Sequence, residues 1–487
     1  MPVNASTQGN LRVGIIGAGF GGVGLAILLK RAGYRAITIF ERGARVGGTW
    51  RDNSYPGAAC DVPSHLYSFS FAPKADWSDH YSPQEEILSY IETTARDFGV
   101  SELVRLNCGV TSAVFDEARN VWAVQSAGGE DFEVDILVSA VGQLSQPVIP
   151  EFPGRAEFAG VQFHAARWDH SVALAGKKIA VVGAAASAIQ IVPALAGVAS
   201  ELTIFQRTPN WIIPRNNRRY SALARAAMGG LPGARLAVRL GLWLRQEFLF
   251  GAFRTGSWRN RWVKKMALKN LSDQVPDTAL RAALTPQYEL GCKRLLVSDD
   301  YYPSFSKPAV TLVTSGISRF EAEGIRTADG VLHPADVCVF ATGFDVRNCL
   351  APIHITGAGG VDLQEAWRDG PQAYWGVALP GFPNFFMEYG PNTNLGHSSI
   401  ILMLEAQARY IVKCLDHMVA KGAARIEVSE GANSRFNTWL QQDLAGTVWT
   451  TGCGNWYGQE GKITANWGRN TWEYIKGMRE PVFGDFV

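Results

Sequence analysis

Residues 11–42 read LRVGIIGAGFGGVGLAILLKRAGYRAITIFER, and the fold is decided there. Val13, Ile15 and Ile16 make a short apolar strand. Gly17-Ala-Gly19-Phe-Gly-Gly22 follows, then a helical pattern to Lys30, then a second strand from Ile37 to Phe40 that ends in Glu41. This strand–turn–helix–strand order suits a dinucleotide. Gly17 permits the tight turn, Gly19 lets a pyrophosphate approach the backbone, and Gly22 lets helix and strand close on each other. The helix N-terminus faces the phosphates, and Glu41 can accept both ribose hydroxyls. A merely glycine-rich turn would leave Glu41 unexplained. The run 13–29 is apolar enough to be mistaken for a signal core or a membrane span, but its six glycines argue against either.

The pattern returns at Lys178, in KIAVVGAAASAIQIVPALAGVASELTIFQR. The first copy ends TIFER and the second TIFQR, so Gln206, Arg207 and Thr208 stand where the first has Glu41. A carboxylate repels a 2′-phosphate, whereas glutamine beside arginine accepts one. The first unit therefore reads as an FAD site and the second as an NADPH site. The second fingerprint departs from the pattern: it runs Gly183-Ala-Ala185-Ala-Ser187-Ala188, and a methyl at Ala185 should weaken or shift the phosphate contacts. Two strand-to-glycine passages, LVSAVG at 137–142 and VCVFATGF at 337–344, mark places where the chain crosses between nucleotide domains.

Composition narrows the class further. The chain has 487 residues, 47% hydrophobic and 18% charged, so a large core is available and general disorder is excluded. The length predicts two or three domains. A net charge of +2 excludes a broad polyanion binder. Seven cysteines are scattered without a CxxC or a Cys/His spacing, so a disulfide, a zinc or other metal site and a dithiol redox pair are not expected. That scatter suits a reducing compartment, and the expected location is the cytoplasm. Residues 1–10 are polar and expected to fray.

With these motifs in place, the chain resembles the class B flavoprotein monooxygenases, and within them the type I Baeyer–Villiger monooxygenase family. The segment from Phe158 through Gly160 and His164 to Trp168-Asp169 fits that family's fingerprint, and it stands just before the second nucleotide unit. The resemblance covers roughly residues 11–480. Ala165 after His164, and the closing Trp168-Asp169, favour the ketone-oxidising branch over the relatives that oxidise nitrogen or sulfur. On bare chemistry His164 is a general base or a structural hydrogen bonder; with no acid partner in sequence, it reads as structural.

The resemblance implies an α/β fold with two Rossmann-like dinucleotide-binding domains and a helical insert. Its expected organisation is 1–150 and 345–487 for FAD, 151–210 and 288–344 for NADPH, and 211–287 for the insert. It implies conversion of ketones to esters or lactones with NADPH and O2 through a C4a-peroxyflavin. Arg294, of Lys293-Arg294, takes the place of the peroxide stabiliser, a role suited to a guanidinium that keeps its proton. Lys293 would join Arg207 on the 2′-phosphate. Asp61 resembles the aspartate that orients that arginine. Gly48, Thr49 and Trp50 resemble the flavin-cradling turn, with Tyr67 and Val110 among the flavin contacts. Trp456 belongs to a loop that closes over the nicotinamide cofactor. The stretch from Phe386 to Asn394 leads into a helix whose N-terminus would face the flavin.

Between Arg215 and Lys269 stand thirteen Lys or Arg and one acid, Glu247. This basic, aromatic-rich insert reads as a helical cap roofing an apolar ketone pocket. Contact with an anionic membrane surface is the lesser alternative, and nucleic-acid binding is excluded by the lack of a recognition module. Oligomeric state is not legible. The rival readings are a sulfur- or nitrogen-oxygenating enzyme with the same cofactors and a flavin-binding scaffold without turnover.

Overall fold

The computed structural model describes residues 9–459 and 461–487, so the expectation of fraying at the N-terminus falls almost wholly outside it. Two five-stranded parallel sheets carry the architecture. The first runs Phe385–Met387, Ile136–Ser139, Val13–Ile16, Ile37–Phe40, Val104–Arg105. The second runs Val310–Val313, Glu201–Phe205, Lys178–Val182, Val337–Phe340, Val161–His164. Every neighbouring pair in both is parallel. Sheets of this kind are covered on both faces, which explains why the central strands read as unbroken apolar runs. All four residues of Val13–Ile16 and of Ile136–Ser139 are buried.

The glycine turns are fixed by close backbone approach. Gly17 has φ +104°, and a Cβ there would lie 2.7 Å from the Ala140 carbonyl oxygen. Gly183 has φ +112°, and a Cβ there would strike the carbonyl of Ala341. Ala140 and Ala341 follow strands 136–139 and 337–340, so each strand-to-glycine passage lies against the first glycine of one fingerprint. The copies diverge after the turn. Helix Phe20–Ala32 starts right after Gly19, whereas Ala188–Leu195 starts three residues after Ala185 and contains Pro193.

The insert forms helices Ala222–Gly230, Ala234–Phe250, Trp258–Gln274 and Thr278–Ala283. It is tied to the body by Leu242, Trp243 and Leu249, packed against the main core, and by Arg239, which donates to the carbonyls of His65 and Ser68 at 2.9 Å each. Its outward row Leu236, Leu240, Leu244 and Phe248 is exposed. Among the described residues no helix is long and apolar enough to cross a membrane.

One expectation is overturned. Cys292 and Cys453 form a disulfide. Sequence spacing could not suggest it, because 161 positions separate the pair and the fold brings them together. The other five cysteines are unpaired.

Candidate active site

A cavity of about 1040 Å³ lies between the two sheets, walled by both glycine fingerprints. In its first half two glycines leave the backbone bare. A Cβ on Gly48 would come 3.0 Å from Gly19 Cα, and a Cβ on Gly19 would meet only Gly48 Cα, at 3.7 Å. The two bare backbones pack against each other at the edge of the cavity, with no side chain to cover the start of helix Phe20–Ala32, so the residues present fit the dinucleotide that the sequence implies. Gly22 is not on this wall; a Cβ there would collide with the Gly17 carbonyl, which makes it the packing glycine.

Glu41 is buried at the end of its strand and already holds three partners. It accepts from Ala18 N at 2.9 Å and Gly43 N at 2.7 Å, and it pairs with Arg51 Nη1 at 2.5 Å. These bonds lock its rotamer toward the groove and use only part of its acceptor capacity. Thr49 and Trp50 open the short helix Thr49–Asp52, and Trp50 Nε1 donates to Tyr67 Oη at 3.2 Å. Thr49, Trp50, Tyr67 and Val110 all line the cavity.

On the other side stand Gly183, Ala185, Ser187, Arg207, Thr208 and Lys293. Gln206 is buried, its amide donates to Ala283 O at 3.1 Å and so fastens the insert, and it lines the cavity beside Arg207. Burial, with Arg207 nearby, pushes the Lys293 ammonium below its ordinary pKa. Two cations held close enough to disfavour each other make a site for a doubly charged anion. Trp456 also lines the cavity, and the disulfide joins its loop to the residue before Lys293.

Where the halves meet, Arg294 donates to Asp61 Oδ2 from Nη2 at 2.5 Å and from Nε at 3.2 Å. Both line the cavity, with 38% of the Arg294 side chain and 30% of the Asp61 side chain accessible from it. Asp61 holds the guanidinium well above its ordinary pKa, against the opposing effect of burial. Burial alone would raise the Asp61 carboxyl, but Arg294 outweighs it and the net shift is downward. The pair is therefore fully ionised, and Arg294 keeps its proton. Tyr389 and Tyr457 lie in the same electrostatic neighbourhood.

The 158–169 motif is not at the cavity. None of Phe158, Gly160, His164, Trp168 and Asp169 lines it. A Cβ at Gly160 would meet Asp336 O and the Phe158 ring at 2.5 Å each, and Trp168 packs 5.0 Å from Phe163. Asp169 accepts from Ser171 N and Oγ. His164 ends its strand, accepts from Ala166 N at 3.0 Å and lies against Phe344. Burial takes its pKa down to about 4, so it is a neutral structural imidazole.

The insert does not roof the cavity. Among the lining residues none falls between 211 and 292. Sequence reading also missed wall residues. Arg51, Gln190, Glu388 and Tyr389 line the cavity without belonging to a recognised role. Arg51, ten residues after Glu41 on the opening turn of a helix, was the detectable one.

Two dinucleotide folds sharing one cavity, with a fixed guanidinium at their junction, define a flavin- and nicotinamide-dependent oxidoreductase. A family model described as pyridine nucleotide-disulphide oxidoreductase matches residues 14–226. A Baeyer-Villiger monooxygenase of Streptomyces coelicolor is 42% identical over 98% of this chain and 92% of its own. One of Pseudomonas aeruginosa is 37% identical over 95% and 88%. Among solved structures, the OTEMO complex with FAD and NADP matches with a TM-score of 0.88 at 27% identity, covering 98% of this chain and 99% of that one. The closed form of cyclohexanone monooxygenase matches with a TM-score of 0.88 at 27% identity and 98% of each chain. The chain belongs to the Baeyer–Villiger monooxygenase family.

Proposed function

We propose that this protein uses FAD, NADPH and O2 to insert one oxygen atom beside a ketone carbonyl, giving an ester or lactone. Bound FAD would supply the oxygen-activating chemistry and NADPH the reducing equivalents. The bare backbone at Gly19 and Gly48, with Glu41, would hold the first, and Gly183, Ser187, Arg207, Thr208 and Lys293 the second. The observation that carries the reading is the Arg294–Asp61 pair at the junction.

Arg294 binds negative charge that develops on reacting oxygens without transferring a proton to it. Asp61 fixes the plane of the guanidinium by two bonds to one oxygen, leaving Nη1 and the second carboxylate oxygen outside the pairing. The cavity wall beyond includes Val62, Leu395 and Leu404, which favours an uncharged, hydrophobic ketone. The five unpaired cysteines favour a cytoplasmic location, against which the one disulfide stands as an exception.

The test is a single compound carrying an aryl ketone and a thioether, given to the FAD-loaded protein with NADPH and air. Ester as the main product supports the reading. Sulfoxide alone, or hydrogen peroxide with no oxygenated product from a panel of ketones, overturns it.

A further inference from the structure

The insert exposes apolar surface that no described part of the chain covers. Helix Ala222–Gly230 has no buried residue, and Ala234–Phe250 buries only Phe250. The outward row of the second helix, Leu236, Leu240, Leu244 and Phe248, advances four residues at a time and so forms one stripe, with Ala237 and Gly241 exposed alongside. Arg245 is the one charged residue fully exposed on that helix. The preceding helix and the turn after it expose Leu223 and Leu231, at 81% and 62%. At the far end of the stripe the Phe248 ring meets Trp258, with centroids 5.9 Å apart, and the half-exposed Trp262 follows one helical turn on. A helix of nine residues without a buried face is too short to hold itself in water, and soluble monomers rarely leave so long an apolar stripe open.

Charge indicates what covers it. Between Arg215 and Lys269 the sole acid is Glu247. It is turned inward, 9% exposed, where it accepts from Thr471 N at 3.1 Å and from the Thr471 hydroxyl. Arg245, Arg261 and Lys265 are exposed and pair with no carboxylate among the described residues, whereas Lys264 and Lys269 take Glu289 and Asp273. Trp258, Arg261, Trp262 and Lys265 share one side of their helix. A second copy docked on the same patch would set cation against cation. Leucines bordered by tryptophan and by free cations match an anionic bilayer surface, whose headgroup phosphates take the cations and whose acyl boundary takes the rest. No described helix is long and apolar enough to cross a membrane, so the fit is to a helix lying in the surface plane.

We propose that the insert docks this protein on anionic phospholipid membranes, with the Leu236–Phe248 stripe in the interface and Arg245, Arg261 and Lys265 on lipid phosphates. No residue between 211 and 292 lines the cavity, so docking is separate from turnover and independent of which substrate is oxygenated.

The experiment sediments the FAD-loaded full chain with vesicles of phosphatidylcholine alone, or of equal parts phosphatidylcholine and phosphatidylglycerol. At about 0.1 M salt the native chain should partition about tenfold better onto the anionic vesicles, and about 1 M salt should remove most of that advantage. Arg261→Ser with Lys265→Ser, and separately Leu240→Ser with Leu244→Ser, should each lower anionic binding about tenfold or more. Melting temperature and the rate of flavin reduction by NADPH should stay at native levels in both. A second measurement needs no variant: vesicles with brominated acyl chains should quench tryptophan fluorescence of the native chain. Equal binding to both vesicle types, or binding to neither, overturns the proposal. So does native binding by the leucine variant, or the absence of quenching. A dimer in solution that Leu240→Ser with Leu244→Ser dissociates, without vesicle binding by the native chain, would assign the patch to a second copy and overturns it as well.

Discussion

Arg294 and Asp61 are 233 positions apart, yet two guanidinium nitrogens of one converge on a single carboxylate oxygen of the other. The pair joins residues from the two halves of the cavity, so its geometry depends on the seating of one nucleotide fold against the other. Removing Arg294 takes away the guanidinium that stands where the two halves of the cavity meet. Arg294→Ala should bind FAD and be reduced by NADPH while losing about 10²–10³ in product formation. Anaerobic flavin bleaching and product yield measure the two separately. Asp61→Asn should fall between, because the guanidinium stays but loses its charged anchor. Undiminished ester formation by Arg294→Ala would sink the assignment.

Coenzyme choice should follow the exposed cations. Arg207 and Lys293 are the cations that line the cavity beside Gln206. Arg207→Ala should raise the KM for NADPH roughly tenfold, the worth of one charge-assisted contact at a partly open site, and leave that for NADH nearly unchanged. The ratio of kcat/KM for the two coenzymes, measured by flavin reduction, reports it. Equal losses for both would show that Arg207 acts on something other than the phosphate.

Ala185 occupies the position at which Gly19 leaves its groove open. Ala185→Gly should lower the KM for NADPH a few-fold, since backbone can then approach phosphate directly. A compensating loss of about 0.5–1 kcal/mol is expected from the added chain entropy. Stopped-flow reduction and thermal melting give the two numbers. A rise in KM would mean that the methyl is part of the phosphate cradle.

Acid should loosen the fold through buried imidazoles. His80 and His164 are both depressed to about 4, chiefly by burial. A histidine with a folded pKa below its unfolded value near 6.5 contributes stability at neutral pH. That stability is lost as pH falls from about 6.5 toward 4. The melting temperature should therefore drop steadily across that window, and His164→Gln should flatten part of the slope if it folds. A melting temperature constant from about pH 7 to about pH 4.5 would contradict the buried neutral state of these rings.

Much of the nucleotide architecture was legible because its causes are local. Glycines that need φ near +105°, apolar strands and a terminal acid or amide all sit within about thirty residues of one another, twice. Arg294 and Asp61 were found by resemblance, since no spacing rule links residues so far apart. What stayed hidden depends on chain path. That Gln206 also fastens the insert shows only once Ala283 arrives beside it. The insert's apolar row looks like a roof until the helix turns it outward.

The Cys292–Cys453 bond closes a ring in the chain that includes strands of both sheets, Val310–Val313 and Val337–Phe340 from one and Phe385–Met387 from the other. Topologically the molecule is a loop with two tails. A protease that cuts once anywhere in that ring yields no separate fragments until a thiol reagent is added. A circularly permuted gene opened within the ring would still encode a chain whose two ends are tethered by the same bridge.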